Sequence, residues 1–447
     1  MTIMLDVLNW VKPGWWVLSK RENGGTAFVD LERIDESERA ILDLDDGFTS
    51  KGGRLLDAAY QGFYRGLVAS EETCLKFDHA EELPVEDDYR FLRRYYSKWW
   101  AYHVFVMRCL TLRNPVRELV GFLGARKVRR ISLWERTLET GESGEKGERI
   151  TGRVAVVIPT LNRYEYLKDA LRDLEAQTYK NFEVIVVDQS QPFDLPFYDV
   201  FSLDIKIIRQ ESPGLWRARN SAVKATDAEL ILLFDDDSRV APSWIEAHLS
   251  CLEQFDADIC SGVSLSTVGD KVPKSYQNFR QADQLDTGNA LVKRKVFEKV
   301  GLFDLQFEGQ RMGDAEFGLR AFLNGFKVIS SPLASRIHLK VESGGLRQMG
   351  SWDAFRPKSL VAPRPVPSVL YLFRKYFGAR AAIKAICILT PPSLIPYRLK
   401  GNRPLRGLAY LFAIIFAPVL IIQVVRAWSA ASKKLKAGAD IPILPSS

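Results

Sequence analysis

Glu229-Leu230-Ile231-Leu232-Leu233-Phe234-Asp235-Asp236-Asp237 decides the fold. Five apolar residues run without a break and stop at three carboxylates. An uninterrupted apolar run of this length reads as a strand buried on both faces, as in a parallel sheet covered by helices. Ligands of such sheets bind beyond the carboxyl ends of the strands. Carboxylates placed there suit a divalent cation, because hard cations take oxygen ligands. A solvated acidic turn is the plainer alternative, and the neighbouring segments weigh against it.

Upstream, residues 154–158 form a buried strand that Pro159 stops. Leu167, Ala170, Leu171 and Leu174 then share one helical face. Residues 182–187 are the next strand and end on Asp188, and 205–208 are another short one. Gly214 opens a helix that runs to Ala225. Downstream, 242–255 is a helix with Pro242 near its first turn. Residues 290–292 and 327–330 read as later strands, with a helix over 314–322 between them that stops at Asn324-Gly325. The alternation over 152–345 predicts an α/β domain. Its parallel strands bring Asp188 and the Asp235/Asp237 pair to one sheet edge.

The rest of the 447 residues divides into flanking regions. Residues 1–138 are expected to be mainly helical, with a hairpin formed by 15–19 and 26–31 around Asn23-Gly24-Gly25. Aromatic and basic residues interleave from Tyr89 to Trp100, and Arg126, Lys127, Arg129 and Arg130 follow. Two readings stand: a face for lipid headgroups or an acidic acceptor, or a helical core with cations snorkelling at its rim. The Gly- and Glu-rich run 139–151 reads as a linker. Residues 346–447 read as a helical, membrane-associated region. Gly407 to Val425 carries no charge, and as a helix its 19 residues reach about 28 Å, close to a hydrocarbon core. One straight span would put Lys433, Lys434 and Lys436 opposite a cytosolic catalytic domain, against the positive-inside tendency. A re-entrant hairpin or an interfacial lie avoids that, so contact with a membrane surface is expected through 365–430.

Composition narrows the classes. Lys plus Arg is 62 and Asp plus Glu is 55, a net charge of +7. That excess fits an anionic membrane or a phosphorylated ligand and does not argue for nucleic acid as a partner. The five cysteines have neither metal-site nor redox spacing, so reduced thiols and a cytoplasmic setting are expected. No secretory signal is expected, because Asp6 lies among the first residues and no basic stretch leads into an apolar run. A dinucleotide enzyme would carry a glycine-rich turn after the first strand. Pro159-Thr160-Leu161-Asn162-Arg163 stands there instead, and no P-loop lysine motif is present.

Several motifs occur in an ordered set. They are Val157-Ile158-Pro159-Thr160-Leu161-Asn162-Arg163, Val186-Val187-Asp188, Gly214-Leu215-Trp216-Arg217-Ala218-Arg219-Asn220 and Phe234-Asp235-Asp236-Asp237. Thr287-Gly288-Asn289, Gly313-Asp314-Ala315-Glu316 and His338 follow. Together they resemble a family 2 glycosyltransferase with a GT-A fold, a Rossmann-like nucleotide-diphospho-sugar transferase architecture, over about 152–345. The resemblance implies an inverting, metal-dependent transfer of sugar from a nucleoside diphosphate to a hydroxyl of a glycan or lipid-linked glycan. It implies a donor side built from Pro159, Thr160, Asn162, Asp188, Arg219, Asn220, Asp235 and Asp236. Asp235, Asp237 and His338 would hold Mn²⁺ or Mg²⁺, and Asp314 would be the general base.

Independent chemistry supports these roles. A departing diphosphate gains negative charge that a divalent ion neutralises. The acceptor hydroxyl needs a carboxylate within reach, and the dipole of a helix favours a carboxylate near its start. The plainer reading of Asp314 is an N-cap, and that of Glu316 and Arg320 is an i, i+4 ion pair. The sequence also departs from the family pattern: Gly313 stands where glutamate is usual, and Gln189-Ser190 replaces a more acidic or Gly-Ser turn. A sugar nucleotidyltransferase and a non-catalytic glycan-binding or scaffold protein are the rivals.

Overall fold

The computed structural model describes residues 6–76, 83–134, 150–266, 272–282, 285–341, 346, 354–357, 359, 361–396, 399 and 402–444. The linker expected at 139–151 lies outside these residues apart from its last two. The chain forms two compact units, Met1–Glu142 with Arg380–Ile388, and Ser143–Ala379 with Leu389–Ser447.

The first unit runs through β1 (Gly25–Val29), α1 (Glu36–Ala40), α2 (Lys51–Arg65), β2 (Cys74–Lys76), α3 (Val85–Tyr95), α4 (Lys98–Leu110) and α5 (Pro115–Gly124). The expected hairpin is not formed. The turn is there: Gly24 has φ +80° and Asn23 accepts from the Gly25 N–H. Its upstream arm, however, coils as a 3₁₀ turn over Trp16–Leu18 and buries Trp16 against Phe63. β1 pairs antiparallel with β2 instead, with Gly25 opposite Lys76 and Val29 opposite Cys74. Burial of the indole outweighs the local hairpin signal.

The aromatic–basic stretch divides at Ser97. Tyr89, Phe91, Leu92 and Tyr95 on α3 are buried. Arg94 is buried with them and paired to Asp45 at 2.9 Å and Asp57 at 3.0 Å. That half is core. Trp99, at the start of α4, is exposed.

The second unit is organised by β3 (Val154–Thr160), α6 (Tyr164–Glu175), β4 (Phe182–Asp188), β5 (Ile205–Arg209), α7 (Leu215–Lys224) and β6 (Leu230–Phe234). After it come β7 (Ser238–Val240), α8 (Trp244–Phe255), β8 (Ile259–Ser266), β9 (Arg280–Gln281) and β10 (Asn289–Lys293). Then follow α9 (Arg294–Val300), α10 (Gly313–Leu323) and β11 (Val328–His338). The strands form one sheet in the order β5-β4-β3-β6-β10-β8-β11-β7, with β9 beside β11. β5, β4, β3 and β6 are mutually parallel, while β10 runs antiparallel to both β6 and β8. Every residue of β6 is buried, as the apolar run predicts. Pro159 does not stop the first strand. β3 continues to Thr160 in register with Asp188, whereas its pairing with β6 ends at Val157, two residues before the missing N–H. β8 was not expected, and β11 extends eight residues beyond Ser330 to reach His338.

The core of this unit holds a neutral imidazole. His248 on α8 is fully buried, with Nε2 3.0 Å from the Asn289 Oδ1 and Nδ1 3.2 Å from the Cys260 sulfur. Burial pushes its pKa down to about 4. Unfolded, the ring binds a proton near its ordinary value, so the unfolded chain holds more protons between pH ~6.5 and ~4. Stability is therefore complete above this window and falls by about 3 kcal/mol as pH drops through it. Denaturant unfolding at pH 7 and pH 4.5 measures this. The wild type loses stability between the two, and His248→Gln loses that much less.

After β11 come α11 (Pro367–Tyr376), α12 (Gly378–Leu389), α13 (Arg403–Ile415) and α14 (Ala417–Ala437). Parts of this region are fastened to the sheet-bearing unit. Tyr371 donates to the Asp304 carboxylate at 2.9 Å, the Asp440 N–H donates to the same carboxylate, and Lys434 donates to the Gln306 carbonyl. No single helix among the described residues is long and apolar enough to cross a membrane. The uncharged run 407–425 breaks at Phe416, where Gly407–Ile415 and Ala417–Ala437 meet at 88°. A straight span over that run is thus not formed.

Candidate active site

The register of the sheet assembles the site. Thr160 at the end of β3 is level with Asp188 at the end of β4, and β6 delivers Asp235, Asp236 and Asp237 beside them. β11 returns antiparallel to β7 with His338 opposite Ser238. This sets His338 Nε2 3.3 Å from the Asp237 Oδ1. One ligand atom each from Asp235, Asp237 and His338 lies within 4.8 Å of the others.

Charge here is dense and shielded. Asp235 accepts from Arg219 at 2.7 Å on one oxygen and from Arg336 at 2.8 Å on the other. Burial alone would raise its pKa, but Arg336 and Arg219 override that and hold it well below the usual carboxylate range. Asp237 follows the same logic: burial pushes up, and the His338 contact outweighs it. Asp236 differs. Burial pushes it up to about 7 even though Thr160 donates to it at 2.8 Å and Arg163 at 3.1 Å. Adjacent carboxylates are thus separated into two charged groups facing the cluster and one much more readily protonated group behind it.

The other expected residues fall in distinct places. Asp188 is fully buried and accepts from the hydroxyls of Tyr164 at 2.7 Å and Tyr198 at 2.8 Å and from the Ser190 N–H. Asn162, at φ +53°, accepts from the Gln191 N–H while its own N–H donates to the Ser190 hydroxyl. Both tie the loop after β3 to the loop after β4. The Asn220 amide is taken up by backbone: it donates to the Phe303 carbonyl and accepts from the Phe303 N–H. It locks α7 to residue 303. Asp314 is the second residue of α10, accepts from the Ala315 N–H at 2.8 Å, and is among the charges that offset the burial of Arg219. Glu316 pairs with Arg320 at 3.0 Å, the bland intrahelical bridge, and also receives Lys375 at 3.1 Å.

Residues 155–308 match the sequence profile described as Glycosyl transferase family 2. They form a family 2 glycosyltransferase domain. Glycosyltransferase GlyA of Streptococcus pneumoniae is 26% identical over 36% of this chain and 23% of its own length. Glycosyltransferase GlyG of the same organism is 26% identical over 41% of this chain and 59% of its own length. The chain therefore spans between about a quarter and three fifths of these relatives. A crystal structure of Staphylococcus aureus TarS residues 1–349 with UDP-GlcNAc overlaps 64% of this chain and 83% of its own, at 19% identity and a TM-score of 0.43.

Within the glycosyltransferase match and beyond its end at residue 308, the structure adds residues to which no motif gave a role. Arg336 bridges Asp235 and Asp286, the latter at 3.0 Å. It lies two positions before His338 on the same strand, so the period of two puts both side chains on one face. Arg163 spans Asp236 and Asp237. Glu308 accepts from the N–H groups of Leu215 and Arg217 and so closes the start of α7.

Two glycines are fixed by close approach. A Cβ on Gly288 would lie 2.0 Å from the Asp235 Oδ2 and 2.3 Å from the Arg336 Nη1. Gly288→Ala therefore shifts this pair and lowers turnover roughly 100-fold, the scale of an ångström's misplacement. Steady-state kinetics alongside an unchanged circular dichroism spectrum checks this. A Cβ on Gly313 would meet the Trp216 ring at 2.5 Å, and that ring is anchored by its N–H on the Phe307 carbonyl at 3.0 Å. The indole takes the space of a side chain at 313, which is the physical reason for the departure from glutamate.

Proposed function

We propose that the protein moves a sugar from a nucleoside diphosphate to a hydroxyl of a glycan or lipid-linked glycan, with inversion, at the cytoplasmic face of a membrane. The convergence of Asp235, Asp237 and His338 at one sheet edge carries the reading. Two carboxylates and an imidazole fit Mn²⁺ or Mg²⁺. Each carboxylate oxygen accepts more than one partner, so Arg219 and Arg336 leave room for an ion. When bound there, a divalent cation supplies Lewis-acid neutralisation of the departing diphosphate.

In this reading Asp235, Asp237 and His338 hold the cation, and Arg219 and Arg336 keep Asp235 charged and aimed. The acceptor oxygen attacks the anomeric carbon. The bond from that carbon to the diphosphate oxygen breaks, and its electron pair leaves with the diphosphate. Asp314 takes the hydroxyl proton. A single displacement inverts the centre. The loops joined by Asn162 and Asp188 shape the nucleoside side.

Membrane contact through 365–430 is supported by the surface of α13 and α14. Ile414, Ile415, Phe416, Ile421, Ile422 and Val425 are all exposed. Lys434 bonds within the sheet-bearing unit, which favours an interfacial lie over a crossing. Serine substitutions at 414, 415, 421 and 422 test this in fractionated cells better than truncation, because the terminal residues also pack on the sheet-bearing unit. Unchanged membrane recovery of that variant removes this surface from the reading.

A panel of nucleotide sugars tests the chemistry. Nucleoside diphosphate release from a restricted set of donors, with Mn²⁺ and not with chelator, is the expected result. Chelator-insensitive release removes the metal. Formation of a nucleoside triphosphate from sugar nucleotide and pyrophosphate replaces the reading with nucleotidyl transfer.

A further inference from the structure

The α4–α5 hairpin of the first unit is built inside out. Its buried face carries ions: Arg108 pairs with Asp88 at 2.6 Å and lies 3.5 Å from Glu118, which also accepts from the Tyr89 hydroxyl. Gly121 on the same face packs so tightly that a Cβ would meet Val85 at 2.9 Å. The outward faces are apolar. On α4, Trp99, Tyr102, Val106 and Leu110 recur at i, i+3, i+7 and i+11 and are exposed. On α5, Val116, Leu119, Val120 and Leu123 recur at i, i+3, i+4 and i+7 and are exposed. Each set is one continuous helical stripe.

The tip joining the helices sharpens the point. Leu112 is 95% exposed, beside Leu110 at 71%. Its φ is +61°, a left-handed conformation that a leucine pays for and an asparagine or glycine accepts easily. A fold selected for stability alone would not keep a strained leucine in water. The rim is basic: Lys98, Arg113, Arg117, Arg126, Lys127, Arg129 and Arg130 are exposed, and Glu118, the one acid between 98 and 130, is buried.

We infer that this hairpin is a docking surface for an anionic phospholipid bilayer, with the leucine tip and apolar stripes entering the interface and the cations on the headgroups. Apolar stripe, interfacial aromatics and a single-sign basic rim together fit a lipid surface. A soluble protein partner of ordinary composition does not require that rim. The inference is independent of the chemistry proposed above. It also concerns a different surface from the contact proposed for α13 and α14, which belong to the other compact unit.

Co-sedimentation of the full chain with vesicles tests it, using phosphatidylcholine alone and phosphatidylcholine with one part in three phosphatidylglycerol. Binding rises with the anionic lipid and falls with salt. Replacing Arg126, Lys127, Arg129 and Arg130 by glutamine lowers partitioning onto the anionic vesicles by up to about 600-fold, since each cation near such a surface is worth roughly fivefold. Binding to neutral vesicles barely changes. Leu112→Asn gives the second arm. It raises the midpoint of thermal unfolding by a few degrees through relief of strain and lowers vesicle binding about tenfold. Hydrolysis of a soluble donor stays unchanged. Equal anionic binding by either variant overturns the inference. A concentration-dependent dimer in the absence of lipid, lost in Leu112→Asn, also overturns it and reassigns the face to a second copy of the chain.

Discussion

Asp237→Ala lowers sugar transfer by at least about 1,000-fold, the largest effect expected of any single substitution, because it removes one carboxylate from the proposed metal site. The side chain is almost wholly buried, with His338 at 3.3 Å and Arg163 at 3.4 Å. Its removal leaves that guanidinium and imidazole facing a position with no anion. The folded structure survives, since both side-chain contacts lie at the rim of the sheet and the backbone bond from the Leu339 N–H to the Asp237 carbonyl is kept, so thermal unfolding shifts by only a few degrees. Raising Mn²⁺ restores little activity, because charge and geometry are lost together. Transfer assays with increasing Mn²⁺, run beside calorimetry, measure both halves. Full activity at saturating metal would mean that Asp237 is not a ligand.

Asp314→Asn lowers the rate of transfer by about 100- to 10,000-fold, the range for loss of a general base. Donor binding stays nearly constant, because asparagine keeps the shape and the acceptor for the Ala315 N–H. The loss therefore falls on kcat and spares the donor KM. A structural helix-start role would give the opposite pattern, with lowered stability and little change in kcat. Kinetics with saturating donor separates the two. A variant at full rate would remove Asp314 from the base role and leave only its electrostatic influence on Arg219.

Asp235, Asp237 and His338 meet at one sheet edge. Asp235, Asp237 and His338 were readable because their signals are local: an apolar run that ends on acids, and a histidine in an ordered set of motifs. The parallel half of the sheet was readable for the same reason, since β3, β4 and β6 are buried on both faces and show it as unbroken apolar runs. β8 was not readable, because Ile259 to Ser266 mixes apolar, small and hydroxyl residues without a clear period. The N-terminal hairpin was misread because a local turn signal was present but a tertiary demand, the burial of Trp16, took the upstream arm elsewhere.

Arg163 and Arg336, to which no motif gave a role, escaped for a different reason, whereas Arg219 was expected on the donor side and gains Asp235 as its partner. Arg163, Arg219 and Arg336 converge on four acids only after three separate chain segments return to one edge. Nothing in the spacing of a single arginine announces a partner 101 positions away, which is the separation of Arg336 from Asp235. Asn220 shows the converse. It sits beside Arg219, which reaches Asp235, yet one helical step turns its amide onto the backbone of Phe303. Adjacent positions on a helix face directions about 100° apart, so a motif names neighbours that do different work.

Binding of a divalent cation at this sheet edge is directly measurable. Mn²⁺ titrated into the purified chain and followed by electron paramagnetic resonance, with and without a nucleoside diphosphate, counts the bound ions. One ion per chain is the expected result, held more tightly when the diphosphate is present, and lost in both Asp235→Ala and Asp237→Ala. Undiminished binding of one ion by both variants would place the cation elsewhere and contradict the assignment of this sheet edge as the catalytic centre.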